Sequence, residues 1–331
     1  MKVRMATTPP WELRREIIVK DEEETDPEYG CPPEERPLKD LLRFGIINLD
    51  KPPGPTSHEV VAWVKRLLVL DKAGHGGTLD PKVTGVLPIV LEEATKVVQA
   101  LLPSGKEYVC ILRTHREESE DRVREALKLF EGEIWQRPPL RSSVSRRLRK
   151  RRIYRIEYLE GNGRDFLFKV ACSAGTYIRK LCYDVGEVLG CGAHMRELRR
   201  TRSGPFTERG SHTMYKLVDA VDLWREEGEE EPLRRLIQPM EAALELLPKI
   251  YIRDSAVDAL CHGAALAVPG ILRFESGIER GTMVAVMTQK GEAVTISRAL
   301  MSGKEILKAE HGLAAKTLRV LMPRGTYPRT W

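Results

Sequence analysis

Asp80 stands within a glycine-rich stretch, residues 74–88, and has the surroundings expected of a reactive carboxylate. Glycines occupy positions 74, 76, 77 and 85, and glycine is frequent where a backbone takes positive φ or approaches a ligand closely. Pro81 disfavours an α conformation at Asp80. The stretch lacks the Gly-Lys-Ser/Thr spacing of a phosphate-binding P-loop. Spacing alone leaves two interpretations open: a catalytic carboxylate on a rigid loop, or an ordinary Asp-Pro turn.

Two arginine-rich segments indicate a second kind of chemistry, the binding of phosphate groups. Residues 141–155 contain seven arginines, one lysine and no acidic residue. A solvated surface usually mixes both signs of charge, so this run favours a phosphate-binding loop over a merely solvated face. A second basic element, residues 192–206, has arginines at 196, 199, 200 and 202. Such residues provide affinity for nucleic acid without reading its sequence.

The composition limits the classes of protein to which the chain can belong. It has 331 residues, 42% hydrophobic and 31% charged, with a formal net charge of +6. This length suits one large domain and a smaller one, and the basic excess is compatible with nucleic acid. The six cysteines form no Cys-x-x-Cys pair, and Cys182, Cys191 and His194 fit no zinc spacing, so we expect reduced thiols and no metal. We expect neither a membrane span nor a secretory signal.

The segments around residues 74–88 must position Asp80. Residues 44–49 favour a strand that ends at a proline-rich loop. Thr56 and Glu59 have capping-box spacing, and the helix after them has one apolar face, formed by Val60, Val64, Leu67 and Leu68. Apolar periodicity predicts further strands at 89–91, 106–112, 154–158 and 166–172, and helices at 94–101 and 119–132. A helix starting within 173–179 has the buried stripe Ile178, Leu181, Cys182, Val185 and Leu189.

The two ends of the chain differ in character from its centre. Residues 12–19 favour a short helix, and residues 21–35 contain eight acids and three prolines. That composition is typical of a solvated tail, with an arm packed on another domain as the alternative. Two helices are predicted at 216–226 and 232–247. Residues 251–331 favour short strands, including a hairpin at 283–297.

Residues 75–81, His-Gly-Gly-Thr-Leu-Asp-Pro, and residues 84–88, Thr-Gly-Val-Leu-Pro, resemble the catalytic-loop signature of the TruB class of pseudouridine synthases. Further motifs match the same class in the same order. They are Leu-Asp-Lys-Pro at 49–52, Lys-Glu-Tyr at 106–108, Ala-Gly-Thr-Tyr-Ile-Arg at 174–179, and the segment from Gly-Ala-His at 192 to Leu198. His-Gly at 262–263, Val-Pro-Gly at 268–270 and Met-Pro-Arg at 322–324 resemble a PUA domain.

With its N-terminal extension the layout is similar to that of dyskerin and its archaeal homologues, the catalytic subunits of box H/ACA guide ribonucleoproteins. The lack of long lysine-rich tails favours the archaeal form. The resemblance implies an α+β pseudouridine synthase fold: a central, mostly antiparallel mixed sheet flanked by helices, plus a small β-rich PUA domain. The implied units are an extension at 1–36 that packs on the PUA domain, a catalytic domain at 37–250 and a PUA RNA-binding domain at 251–331.

The same resemblance assigns roles at the site. Asp80 would be the catalytic residue, and Arg179 would pair with it and orient it. Tyr108 would stack on the target base, Leu198 would close the other side of the pocket, and Tyr177 would order the Asp–Arg pair. The reaction breaks the N1–C1′ bond of uridine and joins C5 to C1′ without redox change or a group donor, so no cofactor is expected.

The remaining candidates are less sharply defined. His75 would lie near the flipped nucleotide or hydrogen-bond within its own loop. Lys51 would brace the catalytic loop or contact the substrate. Residues expected to bind RNA are Arg146, Arg147, Arg149, Lys150, Arg202, His262 and Gly263.

The implied partners are a box H/ACA guide RNA, the substrate RNA and small accessory proteins: a zinc-ribbon type protein, a β-barrel protein and a kink-turn-binding ribosomal-type protein. No membrane partner is expected, and the implied location is the cytoplasm of an archaeal cell. Two other functions stay open. One is a stand-alone synthase acting on the T-loop of tRNA, and the other is a non-catalytic RNA-binding scaffold.

Overall fold

Two β-sheets organise the chain, and the residues that frame Asp80 lie in the larger one. The computed structural model describes residues 8–138, 145 and 147–329. Within these residues one sheet has ten strands and the other has seven.

The N-terminal part of the chain supplies the elements on either side of Asp80. They are β1 (Ile17–Val19), α1 (Leu38–Phe44), β2 (Gly45–Lys51), α2 (Ser57–Leu67), β3 (Ala73–His75), β4 (Thr84–Leu91), α3 (Val98–Leu101), β5 (Lys106–Thr114), α4 (Glu120–Lys128) and β6 (Gly132–Gln136). The predicted capping box begins α2. The Thr56 hydroxyl accepts from the Glu59 N–H at 3.1 Å, and the Glu59 carboxylate accepts from the Thr56 N–H at 2.7 Å.

The middle of the chain completes the larger sheet. Its elements are β7 (Arg149–Asn162), β8 (Asp165–Cys172), α5 (Ile178–Leu189), β9 (Ala193–Ser203), β10 (Phe206–Thr207), α6 (Met214–Glu227), α7 (Glu231–Arg234) and β11 (Ile237–Pro239). The strand order is β11-β2-β4-β9-β5-β8-β7-β6, with β3 on β4 and β10 on β9. Only β4 and β9 pair in parallel among these strands of the described chain. The sheet is therefore mixed and mostly antiparallel, as predicted.

The C-terminal part forms the smaller sheet, to which the N-terminal segment also contributes. Its elements are β12 (Lys249–Ile252), α8 (Asp254–Cys261), β13 (Leu266–Ala267), β14 (Ile271–Glu275), β15 (Met283–Met287), β16 (Ala293–Ala299), α9 (Gly303–Lys308) and β17 (Leu313–Val320). The order is β1-β14-β12-β15-β16-β17-β13. The predicted domain boundary after residue 250 falls inside β12.

Apolar packing holds the helices to the sheets and the two sheets to each other. Val60, Val64 and Val221 bring α2 and α6 onto one face of β2 and β4. A second cluster packs α4 and α5 on β5 and β8. A third combines Val86 of the larger sheet with Ile296 of the smaller one. Because each buried aliphatic side chain contributes about 1.5–3 kcal/mol, this shared core fixes how the two units meet.

The N-terminal segment is an arm rather than a solvated tail. The predicted helix at 12–19 is wrong: residues Pro10–Glu12 form one 3-10 turn, and Ile17–Val19 is a strand. It pairs antiparallel with β14, with Ile18 opposite Phe274. The three residues Ile17–Val19 are β-branched and favour a strand, but the run is short and its hydrogen-bond partners lie far along the chain, so the local pattern did not show it.

Two further predictions were wrong in extent. The helix expected at 232–247 is divided into α7, β11 and a 3-10 turn at Met240–Leu244, because Pro239 cannot continue a helix. The basic run at 141–155 is partly strand, since β7 starts at Arg149. Across the described residues, no helix is long and apolar enough to cross a membrane.

Candidate active site

Asp80 lies on the loop of residues 76–83 between β3 and β4, and its carboxylate contacts the guanidinium of Arg179. Arg179 is the second residue of α5. Both side chains stay open to solvent, with exposed fractions of 52% for Asp80 and 44% for Arg179. An ion pair this exposed contributes at most about 1 kcal/mol to stability. The pair therefore orients a solvent-accessible carboxylate more than it holds the fold together.

Two side chains, one from β2 and one from α2, fix the position of the loop of residues 76–83. The Ser57 hydroxyl accepts from the Leu79 N–H at 2.8 Å and donates to the Leu79 carbonyl at 3.1 Å. Lys51 is fully buried, and its Nζ donates to the carbonyls of Pro52, Pro81 and Val83, each at 2.9 Å. Burial lowers the pKa of Lys51. Two of the three ammonium contacts are with the loop and the third is with Pro52, next to Lys51 itself, so the contacts of Lys51 are those of a brace.

Glycine is required where the loop meets β9. Gly85 has φ +102° and pairs with Arg200, and a Cβ there would lie 2.2 Å from the Arg200 carbonyl oxygen. Gly77 has φ +134°, which non-glycine residues rarely adopt. The glycines of the sequence motif thus let the loop run against β9 and bring Asp80 beside it.

Tyr108 and Leu198 lie on β5 and β9, next to the parallel junction with β4. Both are half-buried and pack against the apolar clusters of the two sheet faces. Burial raises the pKa of the Tyr108 hydroxyl, the Arg200 guanidinium opposes that rise, and the charge of Asp80 adds to it. Tyr108 lies opposite Arg200 in the pairing of β5 with β9, and the charges of Arg200 and Asp80 both act on its hydroxyl.

Tyr177 is the residue just before α5, and its backbone is clamped by Gln136. The Tyr177 N–H donates to Gln136 Oε1 at 2.9 Å, and Gln136 Nε2 donates to the Tyr177 carbonyl at 3.1 Å. Gln136 is nearly fully buried. This reciprocal pair sets where α5 begins, and with it the position of Arg179. Gln136 could not be recognised from the sequence, since a single glutamine at a strand end carries no motif.

His75 ends β3, and its contacts lie within the loop and on α2. Its Nδ1 accepts from the Gly77 N–H at 3.2 Å, and its ring lies 5.0 Å from the His58 ring, edge to face. Burial, with the nearby charges of His58 and Arg200, lowers the pKa of His75 to about 4. His75 is consequently neutral at physiological pH and free to act as an acceptor within the loop.

The residues predicted to bind phosphate are spread along β7 and the segment before it. Arg147 and Lys150 are exposed, and Arg149 is half-buried. Lys150 Nζ lies 2.7 Å from a Glu133 carboxylate oxygen, so part of this charge is already balanced. Arg146 lies outside the described residues.

Arg202 is held by the N-terminal arm. Its guanidinium carbon lies 5.0 Å from the centre of the Trp11 ring, and Trp11 meets Tyr154 edge to face at 6.3 Å. Glu12 pairs with Arg155 at 2.9 Å. The prediction of Arg202 as a phosphate contact did not foresee this stacking, because Trp11 sits in a segment without a recognisable pattern.

His262 and Gly263 follow α8 in the C-terminal unit. His262 Nδ1 lies 2.9 Å from the Asp258 carbonyl oxygen, and Gly263 has φ +91° with open space where a Cβ would be. They lie in a different unit from Asp80, on a helix end and not on the larger sheet.

Two buried cations beneath the loop were not singled out by sequence. Lys106 Nζ donates to the carbonyls of Leu101 and Ser104 at 2.9 and 2.8 Å. Arg200 is 1% exposed, although its neighbouring arginines in the sequence suggest an exposed basic surface. Within the described part of the chain, no group of three or more His, Cys, Asp or Glu side chains is placed to hold a metal. The site therefore offers one oriented, solvent-accessible carboxylate and a tyrosine hydroxyl on which that carboxylate acts electrostatically, with two buried cations nearby.

Family comparisons cover nearly the whole chain. The model of the N-terminal domain of TruB family pseudouridylate synthases matches residues 65–178, and that of the tRNA pseudouridylate synthase B C-terminal domain matches residues 179–245. A DKCLD domain model matches residues 8–61, and a PUA domain model matches residues 248–321.

Individual relatives are similar over the same extent. A protein from Methanopyrus kandleri described as probable tRNA pseudouridine synthase B is 60% identical, covering 97% of this chain and 95% of its own. A chain in the crystal structure of a Cbf5-Nop10-Gar1 complex is 57% identical with a TM-score of 0.95, covering 98% of this chain and 99% of that chain. A chain in an H/ACA RNP bound to a substrate RNA containing 2′-deoxyuridine is 55% identical with a TM-score of 0.93, covering 98% and 100%.

Proposed function

Because the chain belongs to the TruB family of pseudouridine synthases, we propose that it isomerises selected uridines of rRNA and tRNA as the catalytic subunit of a box H/ACA guide ribonucleoprotein. The observation that carries the proposal is the contact between Asp80 and Arg179, with Tyr108 on a strand of the same sheet, in a chain similar over 98% of its length to one in an H/ACA RNP.

Asp80 is the catalytic residue of this proposal. The N1–C1′ bond of uridine breaks, the base turns, C5 bonds to C1′, and the proton lost from C5 is balanced by one gained at N1. Asp80 either attacks C1′ or takes a proton from the ribose. Arg179 holds the carboxylate toward the nucleotide, and Tyr177 orders that pair. Both routes need the carboxylate ionised and accessible, which suits its exposed position on the loop.

The target uridine has to leave its stack to reach Asp80, which costs a few kcal/mol. Tyr108 stacks on the extruded base and exchanges a proton late in the reaction, while Leu198 closes the opposite side. Lys51 serves as a brace, and His75 as a neutral acceptor next to the pocket. Phosphate contacts by Arg146, Arg147, Arg149 and Lys150 offset the cost of extrusion.

The partners we propose are a guide RNA, the substrate RNA and small accessory proteins. One similar chain comes from a structure described as a Cbf5-Nop10-Gar1 complex, and another from a structure described as an H/ACA RNP bound to a substrate RNA. For this chain we propose a zinc-ribbon type protein, a β-barrel protein and a kink-turn-binding ribosomal-type protein, in the cytoplasm of an archaeal cell. His262 and Gly263 in the PUA unit would contact the guide RNA.

A second candidate is a stand-alone synthase acting on the T-loop of tRNA. It is favoured by the description of the curated relatives as probable tRNA pseudouridine synthase B. It would use the same Asp80, Tyr108 and Arg179. A non-catalytic scaffold has no need of an oriented carboxylate and disagrees with the family.

Guide dependence separates these functions. The purified chain is incubated with guide RNA, accessory proteins and a target labelled with tritium at C5 of uridine, and release of tritium is measured. We expect conversion at the uridine that the guide leaves unpaired, and none with a guide of mismatched arms. Rapid, complete conversion of a tRNA transcript without any guide would support the stand-alone enzyme, and absence of conversion under every condition would support the scaffold.

A further inference from the structure

Arg200 is the largest fully buried side chain of the described residues, with 1% of its surface exposed. Burial of an arginine is costly unless its donors are satisfied. No carboxylate pairs with it among residues 8–138, 145 and 147–329. Burial accordingly lowers the pKa of its guanidinium. Since no counter-ion balances this buried charge, the other contacts of Arg200 determine its role in the structure.

The guanidinium ties together the two ends of the catalytic loop. Its Nε donates to the Val86 carbonyl at 2.7 Å, and its Nη2 donates to the Gly77 carbonyl at 3.0 Å. Gly77 precedes Asp80 by three positions, and Val86 follows it by six. The backbone of Arg200 also abuts Gly85. Arg200 thus fixes the span of the loop whose tip carries Asp80.

The same side chain faces the active-site tyrosine. Tyr108 and Arg200 are direct cross-strand neighbours in the antiparallel pair of β5 and β9. Directly opposed residues have Cβ atoms about 4.5–5.5 Å apart and point to the same face. The positive charge of Arg200 acts on the Tyr108 hydroxyl against the effect of burial.

We propose that Arg200 is a positioning residue for the isomerisation. Its guanidinium fixes the position of the Asp80 loop relative to Tyr108, so that both side chains contact the same nucleotide. The inference rests on the proposed function. It differs from a purely structural role, because a core arginine that only stabilised the fold would not couple the effects of Asp80 and Tyr108 on the chemical step.

Lysine and methionine substitutions at Arg200 separate the contribution of the planar, forked guanidinium from that of its positive charge. Arg200→Lys keeps a positive charge but replaces the planar fork with a single nitrogen, so the two carbonyls that separate guanidinium nitrogens contact are no longer held in the same geometry. Arg200→Met removes the charge and both contacts. Arg113→Lys on β5 is the matched control and should keep the wild-type rate, since the Arg113 guanidinium pairs with the Asp165 carboxylate at the far end of that strand from Tyr108.

The test measures single-turnover rate and substrate RNA affinity in the assembled guide complex, at a temperature where each variant is folded by circular dichroism. For Arg200→Lys we expect the rate to fall about 10²-fold, the cost typical of a displacement of about 1 Å, with RNA affinity changed less than about threefold. When Arg200→Lys is combined with Tyr108→Phe, the fold-loss in rate should be smaller than the product of the two single fold-losses. Both substitutions disturb the same arrangement of the Asp80 loop and Tyr108.

A wild-type rate in Arg200→Lys, a purely multiplicative combination with Tyr108→Phe, or a loss confined to RNA affinity would overturn the inference. If Arg200→Met does not fold, Arg200→Lys and the double variant decide. If the wild-type complex itself shows no conversion, the proposed function fails instead, so the two failures are distinguishable.

Discussion

The guanidinium of Arg179 meets the carboxylate of Asp80 across 99 positions of sequence. One residue is on a loop between β3 and β4, and the other is on the first turn of α5. Ser57 and Lys51 hold the loop, and Gln136 holds the start of the helix. The contact is exposed and weak as a stabilising interaction, so its consequences should be visible in catalysis before they are visible in stability.

Arg179→Met is expected to lower the single-turnover rate about 10²-fold, because Asp80 loses the partner that aims it. Arg179→Lys should fall between Arg179→Met and wild type, since an ammonium gives charge without a planar fork. The thermal midpoint should move little. Lys180→Met, which removes the neighbouring i,i+4 pair with Asp184, is the control and should retain the wild-type rate. An unchanged rate in Arg179→Met would contradict the role given to the pair.

Lys51→Met is expected to destabilise the protein by about 2–4 kcal/mol. Three backbone carbonyls lose a donor, of which that of Pro81 keeps the Gly54 N–H. Each carbonyl left unsatisfied costs about 1–3 kcal/mol, while the cost of burying an ammonium is relieved. Guanidinium unfolding measures the change. Lys65→Met, on the exposed side of α2, should change stability by less than about 0.5 kcal/mol. Equal effects of the two substitutions would show that Lys51 is not a brace.

Val69→Gly is expected to stabilise the protein by about 0.5–1 kcal/mol. Val69 has φ +54° just after α2, a conformation that costs a branched residue about 1–3 kcal/mol. Its side chain is 79% exposed, so little packing is lost. The same change at Leu102, which is 49% exposed and has φ −58°, should destabilise. Loss of stability in Val69→Gly would indicate that the exposed side chain makes a contact the conformation does not reveal.

His75 should make the protein less stable in mild acid. Its pKa is about 4 in the folded state against an ordinary 6.5, so the unfolded chain binds a proton that the folded chain does not. The stabilising contribution is complete above pH 6.5 and is lost as the pH falls from 6.5 toward 4. His75→Asn keeps an acceptor for the Gly77 N–H without titrating. It should therefore flatten the pH dependence of the unfolding free energy in that window.

The control for this measurement is His311→Gln, at an exposed position. It should leave the difference in unfolding free energy between pH 6.5 and pH 4.5 as in wild type. An equally steep pH dependence in His75→Asn would show that the imidazole of His75 is not the group responsible.

Local motifs determined what could be predicted. The Thr56–Glu59 capping box and the apolar stripe from Ile178 to Leu189 lie within single elements, so their pattern is visible in sequence, and the structure has both. The family resemblance and the mixed, mostly antiparallel sheet were also confirmed. The position of the Asp80 loop followed from its glycines and from the match to known motifs.

What could not be predicted depends on distant partners. The Arg-Arg-Thr-Arg segment at 199–202 looks uniformly basic, but strand alternation and pairing bury Arg200 while Trp11 of the arm covers Arg202. The β-branched run Ile17–Val19 favours a strand locally, but only its pairing with β14 fixes where that strand lies. The positions of such features depend on tertiary pairing as well as on local propensity.

The central claim is that Asp80 performs the isomerisation. The measurement is tritium release from C5-labelled target uridine by complexes containing Asp80→Asn, beside Asp184→Asn as a carboxylate on α5 away from the loop. We expect no detectable conversion by Asp80→Asn, with substrate RNA bound within about threefold of wild type, and full activity in Asp184→Asn. Sustained conversion by folded Asp80→Asn complexes would contradict it.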